Sequence, residues 1–229
     1  MHPLIMNKLY ISIILLSSVS FYLINGITYS ISYELKLVEG YRLFFQEGVH
    51  KRYIANAMLG GILASFTTWN YINISTVLTI LLFLALLSII SSVDIATMEI
   101  PNTFVIAALV LGIISIFTMP GTSLPSRILG MFVVSVPLLL ITLLIPGAFG
   151  GGDIKLMAAC GLFLGTKLTL LSFTFAVLTG GLYGIWLLVM KKKRGKEHFA
   201  FGPFLCLGMA AALFIGDKVW YWYVGLLYL

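Results

Sequence analysis

Charge is what this chain has least of. Only 10% of its 229 residues are Asp, Glu, Lys or Arg, against 60% hydrophobic, and the mean hydropathy is +1.07. A soluble domain of this length could not cover a core with so little polar surface. Cysteine is nearly absent. Cys160 and Cys206 both fall in apolar stretches, where a small buried hydrophobe is the expected role, so no disulfide framework is expected. The three histidines, His2, His50 and His198, fit no metal-ligand spacing and stand beside no paired Ser or Cys. That argues against both a metal centre and a triad built on a serine or cysteine nucleophile. Internal repeats and low-complexity segments are absent as well.

What is present is a succession of apolar runs near the length needed to cross a bilayer. The fold class expected is an all-α polytopic membrane protein with about eight transmembrane helices. The segments are approximately Leu9–Ser30, Tyr53–Trp69, Ile74–Ser92, Thr103–Met119, Arg127–Ile145, Ile154–Leu164, Leu168–Met190 and Phe199–Ile215. The first is long and lacks a clear small-residue cleavage site, so it does not read as a removable signal peptide. The sixth is short and starts from a glycine loop, which is tolerated at membrane depth where backbone lines a cavity or packs on protein. Trp220-Tyr221-Trp222-Tyr223 reads as an interfacial aromatic belt rather than a ninth span.

The net charge of +6 comes from loops between spans and speaks for membrane topology and lipid contact, not nucleic acid. Lys36, Arg42, Lys51, Arg52, Lys155, Lys191, Lys192, Lys193, Arg194 and Lys196 share one side by parity, leaving Lys8, Arg127, Lys167 and Lys218 on the other. Ten against four places the N-terminus outside and the basic loops in the cytoplasm.

The chain has eight acidic residues. Glu34, Glu39, Glu47, Glu197 and Asp217 read as solvated loop charges. Asp94, Glu99 and Asp153 instead adjoin long apolar segments on the side assigned to the cytoplasm. An ionisable group there is a functional-site hypothesis by default. Asp153 follows Gly150-Gly151-Gly152, whose missing Cβ atoms let another backbone come close to the carboxyl. A plainer role for Asp153 is to cap a helix beginning at Ile154. Asp94 closes the third span, ahead of Ile100-Pro101-Asn102, where Pro101 suits a helix start. If the two helix ends are neighbours, two carboxylates share one proton in a poorly solvated site. One can then activate water while the other polarises a peptide carbonyl, which is metal-free amide hydrolysis. The alternative is a proton-coupled transporter or channel using the same aspartates. Glu99 is explained as well by capping or substrate contact as by catalysis, and Lys155 by topology as well as by an influence on the charge of the pair.

These residues resemble the type IV prepilin peptidases, membrane aspartic proteases of the GxGD class. Gly150-Gly151-Gly152-Asp153-Ile154-Lys155-Leu156 is similar to that family's GxGD-x-K-hydrophobic signature. Asp94 with Ile100-Pro101-Asn102 resembles its first-aspartate segment, and Phe201-Gly202-Pro203-Phe204 a motif of its last span. The resemblance implies an aspartic endopeptidase that removes the leader of prepilins or pseudopilins, for a type IV pilus or type II secretion, at the cytoplasmic membrane face. It implies Asp94 and Asp153 as the catalytic pair, with Gly150, Gly152, Lys155 and Glu99 as substrate or loop support. Residues 74–229 would form the six-span peptidase domain. Residues 1–73, two spans and a basic loop, correspond to the part that in many members also N-methylates the product. There Ser20 through Tyr29 and Arg52-Tyr53 dimly resemble the family. The loop between lacks the paired cysteines, and Asn56 lies near the position of an acidic residue. No metal is therefore expected, and S-adenosylmethionine is called for only if the N-terminal region methylates.

Overall fold

The computed structural model describes residues 3–32, 51–190 and 200–227. The first loop with Lys36, Arg42, Glu34, Glu39 and Glu47, and the basic run Lys191–Lys196, lie outside the described residues, as do the side chains of Lys8, Lys51 and Arg52.

All described secondary structure is helical. In chain order the helices are α1 Pro3–Ser32, α2 Lys51–Asn70, α3 Ile74–Thr97, α4 Asn102–Thr118, α5 Leu124–Val133, α6 Ser135–Leu144, α7 Gly151–Val189 and α8 Gly202–Leu227. Among the described residues, four stretches are long and apolar enough to cross a membrane: Ile74–Thr97, Leu124–Leu144, Gly151–Leu187 and Gly202–Leu226. Tyr10–Gly26 and Asn102–Thr118 are shorter apolar helices. The chain is a multi-pass membrane protein by these lengths and compositions.

The helices follow the eight expected segments in order, with three differences that have local causes. The fifth segment is split at Val134, whose φ of −109° and ψ of −42° lie at the edge of right-handed helical geometry. Pro137 explains the split: it has no N–H for the Val133 carbonyl and its ring crowds that carbonyl. The sixth and seventh segments are two arms of α7. A straight helix of 39 residues would be about 58 Å long, about twice a bilayer's hydrocarbon core. It is broken at Gly165, whose φ of 74° and ψ of 169° only glycine adopts readily. The last helix runs on past Ile215 to Leu227 and includes the aromatic belt. Asp217 is therefore a helical residue, not a loop charge, and it pairs with Lys167 of α7 while staying exposed. The Lys167 ammonium also lies over the Tyr221 ring, 4.6 Å from its centroid.

By packing the chain divides into two compact units, Met1–Ala96 and Thr97–Leu229. In the first, Ile13 of α1, Ala64 of α2 and Val77 and Leu81 of α3 form one apolar cluster, edged by Tyr10, Ile14 and Tyr71. Two polar contacts join α1 to α2. Ser17 Oγ donates to the Gly60 carbonyl at 3.0 Å, and Asn56 Nδ2 donates to Asn25 Oδ1 at 2.6 Å.

In the second unit α7 is the central element, packed by α4, α5, α6 and α8. α5 crosses its first arm backbone to backbone. A Cβ on Gly161 would lie 2.1 Å from the Gly130 carbonyl oxygen, and one on Gly130 would lie 2.5 Å from that of Gly161. Only glycine at both positions allows this approach.

The largest correction to the sequence reading concerns Arg127. Expected at the start of a span as an outward loop charge, it is completely buried in α5. Its guanidinium donates to carbonyls at the ends of two helices. A planar fork with five N–H donors can satisfy several such carbonyls at once, where a lysine could not.

Candidate active site

The glycine run opens α7. Gly151 and Gly152 are its first residues and Asp153 its third, with the Ile154 amide donating to the Gly150 carbonyl at 3.3 Å. The helix thus begins three residues before the expected Ile154. Asp153 is not its N-cap but an acidic residue in its first turn, where the helix dipole and unpaired amides favour negative charge.

Each glycine has its own surroundings. A Cβ on Gly150 would stand 3.0 Å from Asp153 Oδ2, so the carboxylate folds back over that residue. A Cβ on Gly152 would stand 3.0 Å from Ile100 Cβ. Gly151 has nothing within 4 Å of such an atom. The run therefore presses on its own carboxylate at one residue, on the chain before α4 at another, and leaves open space between. The Asp153 side chain is only 9% exposed.

Two further motifs meet this run. Pro101 precedes α4 with φ −57° and ψ 138°, the extended geometry of a residue just outside a helix, and Ile100 beside it packs on Gly152. Lys155 Nζ donates to Asn102 Oδ1 at 3.1 Å, tying the first turn of α7 to the first residue of α4. On the other side, Phe149 meets Phe201 with ring centroids 6.3 Å apart, and Phe201 meets Phe204 at 6.3 Å. Phe204 in turn packs on Tyr183 of α7 at 5.3 Å. Ile100-Pro101-Asn102, the glycine run and Phe201-Gly202-Pro203-Phe204 are thus one structural cluster within the second unit. The Lys155–Asn102 bond could not be read from either motif alone.

Asp94 belongs to the first unit. It lies in the last turn of α3, buried at 4% exposure. The chain then turns through Met98, a non-glycine residue at φ 55°, a left-handed conformation costing about 1–2 kcal/mol. Thr97 holds this turn: its Oγ1 accepts from the Glu99 amide at 3.3 Å and donates to the Glu99 carbonyl at 3.1 Å. The Glu99 side chain is exposed. Its backbone makes the turn that separates α3 from α4. No buried side-chain nitrogen or oxygen among the described residues lacks a hydrogen-bond partner.

These features define a helical membrane protein with a buried carboxylate at a glycine-rich helix start and a second buried carboxylate at a helix end. A sequence profile of the type IV leader peptidase family matches residues 80–185, a stretch that holds Asp94, Ile100-Pro101-Asn102 and the whole glycine run. Over that stretch the chain is similar to the type IV leader peptidases.

Three relatives illustrate the match. A prepilin leader peptidase/N-methyltransferase of Bacillus subtilis (strain 168) is 32% identical over 142 residues, 62% of this chain and 57% of that protein. Its namesake from Neisseria gonorrhoeae is 31% identical over 183 residues, 76% of this chain and 62% of that protein. The one from Legionella pneumophila is 37% identical over 76 residues, 33% of this chain and 26% of that protein. The chain thus spans less than two thirds of the length of each. No solved structure matches it.

Proposed function

We propose that this chain is a membrane-embedded aspartic endopeptidase that removes the leader peptide of type IV prepilins or pseudopilins, with Asp94 and Asp153 as its catalytic pair. The observation that carries the reading is the cluster around Asp153. A buried carboxylate at a helix N-terminus is walled by residues without Cβ atoms, beside an open glycine where an extended substrate backbone has room. The matched stretch contains both aspartates, and the relatives carry the names of prepilin leader peptidases.

In the proposed reaction the ionised aspartate takes a proton from a water, whose oxygen bonds to the scissile carbonyl carbon. The protonated aspartate gives its proton to the carbonyl oxygen. Collapse of the tetrahedral species breaks the C–N bond: the amine leaves with the proton held by the first aspartate, and the second aspartate takes a hydroxyl proton as the carboxyl product forms, which restores the pair. A coupled dyad titrates as a unit, so either carboxylate can begin as the base. Lys155, held on Asn102, and Gly152, held on Ile100, fix the turn that presents Asp153.

The proposal extends to placement and partners. The active site faces the cytoplasm, the protein sits in the cell membrane with its N-terminus outside, and the partners are prepilins or pseudopilins and lipid, not nucleic acid. The reaction calls on no metal or cofactor, and S-adenosylmethionine would matter only to a methylating N-terminal region. Near the position where the family places an acidic residue, Asn56 offers a neutral amide already engaged with Asn25.

The test is to reconstitute the purified protein in liposomes without any ion gradient and add a prepilin. Mass spectrometry should show loss of the leader and, with S-adenosylmethionine supplied, no added methyl group. Absence of cleavage for prepilins of several kinds, with gradient-driven ion flux in its place, would favour a transporter using the same aspartates.

A further inference from the structure

Arg127 makes six hydrogen bonds and all of them serve helix ends or the chain between helices. Nη1 donates to Ser115 Oγ at 2.6 Å and to the carbonyls of Leu162 at 3.1 Å and Phe163 at 3.0 Å. Nη2 donates to the carbonyls of Ser115 at 3.1 Å and Met119 at 2.7 Å, and Nε to that of Thr122 at 3.3 Å. Ser115 and Met119 lie at the C-terminal end of α4. Leu162 and Phe163 close the first arm of α7, just before its break at Gly165. Helix C-termini carry unpaired carbonyls and a negative dipole end, so a cation there is compensated without a carboxylate.

The residue before it completes the joint. Ser126 Oγ accepts from the Thr166 amide at 3.2 Å, and the Ser126 carbonyl accepts from Thr166 Oγ1 at 2.8 Å. Two consecutive residues of α5 therefore hold both sides of the α7 break, Arg127 the arm that ends and Ser126 the arm that begins.

α4 and the first arm of α7 run side by side in the same direction. Their N-terminal ends meet at Ile100–Gly152 and Asn102–Lys155, and their C-terminal ends meet at Arg127. Asp153 stands at the end where both dipoles are positive, and Arg127 at the end where both are negative.

We infer that Arg127 is a positioning residue for the Asp153 site: by clamping the C-terminal ends of α4 and the first α7 arm, it fixes the register in which their N-terminal ends hold the glycine run. The inference rests on the peptidase reading for its kinetic consequence but not for its structural one. Two readouts are therefore needed.

The first is hydrogen–deuterium exchange on the full-length protein in lipid nanodiscs, comparing Arg127→Met, Arg127→Lys and the milder Ser115→Ala with the parent. Arg127→Met should raise exchange at 150–156 and 100–104 at least ~10-fold while leaving α1 and α2 unchanged. Ser115→Ala should give the same pattern at smaller amplitude, which covers the case in which Arg127→Met does not fold. The second readout is prepilin cleavage per folded molecule. kcat should fall ~10–100-fold in Arg127→Met and less in Arg127→Lys, with KM within ~2-fold of the parent.

Exchange that rises only around Arg127, or equally in α1 and α2, would overturn the inference. So would an unchanged kcat in folded Arg127→Met. If the parent cleaves nothing, the peptidase reading falls and the exchange pattern still decides the clamp.

Discussion

The two ends of one helix pair are opposites. At the C-terminal end of α4 and the first arm of α7, a fully buried cation makes six hydrogen bonds across 2.6–3.3 Å. At the N-terminal end, about 20 Å away along the helices, an exposed lysine–asparagine bond and the packing of Ile100 on Gly152 join them, beside a glycine with open space around it. One end is closed by saturation of its polar groups; the other is left accessible next to a buried carboxylate. On the proposed peptidase reading, the end that admits an extended peptide is held by few contacts and the heavier pinning is done at the far end. Catalytic groups gain most from rigid supports whose geometry is set elsewhere.

This contrast can be broken or sharpened by substitution. The largest effect is expected from Asp94→Asn. If the open end is a hydrolytic site, it needs the second carboxylate of α3, and prepilin cleavage should drop at least ~10³-fold with helix content by circular dichroism unchanged. Next is Gly161→Ala on the closed side. Its Cβ would stand 2.1 Å from a backbone oxygen that cannot rotate away, so the thermal unfolding midpoint should fall by an amount equivalent to about 1–3 kcal/mol. At the open end the glycines should separate by position. Gly152→Ala, pressed on Ile100, should lower kcat about 10-fold, whereas Gly151→Ala, with nothing within 4 Å in the free protein, should leave the thermal midpoint unchanged and raise KM about 10-fold, because its Cβ enters the space assigned to the substrate backbone. Smallest is Lys155→Ala. An exposed bond of this kind contributes about 0.5–1.5 kcal/mol, and loss of only ~2–5-fold in kcat is expected, read from initial rates. A larger loss would move Lys155 from positioning the turn to the chemistry itself.

Much of the fold and the site is written in the sequence, and the parts that are not have a common cause. The helices follow apolar runs because a bilayer demands them, so the expected segments reappear as helices in order, with four described stretches long and apolar enough to cross a membrane. Asp94 and Asp153 stand out because so few ionisable residues adjoin apolar segments. The break at Val134 could have been read from Pro137. The continuation of α8 through Asp217 could not, because its partner Lys167 is fifty residues away. Arg127 was hidden for a related reason. Counting Lys and Arg for orientation treats each as a loop charge, and nothing local marks one that serves helix ends from α4 and α7. The one clue was its place two residues after Pro125, a residue suited to a first helical turn, which puts Arg127 in the helix rather than in the loop before it. The Asn102–Lys155 bond was equally silent, since each residue has a sufficient local explanation. What sequence conceals here is the meeting of helix ends distant in the chain.

The central claim is that the open end performs hydrolysis through Asp153 and that this carboxylate is not what holds the unit together. Prepilin cleavage and the thermal midpoint, measured together on purified parent and Asp153→Asn, test it most directly. The account predicts leader removal reduced at least ~10³-fold with a midpoint equal to or above the parent's, since replacing a buried functional carboxylate commonly relieves strain. Cleavage by Asp153→Asn at the parent's rate would contradict it.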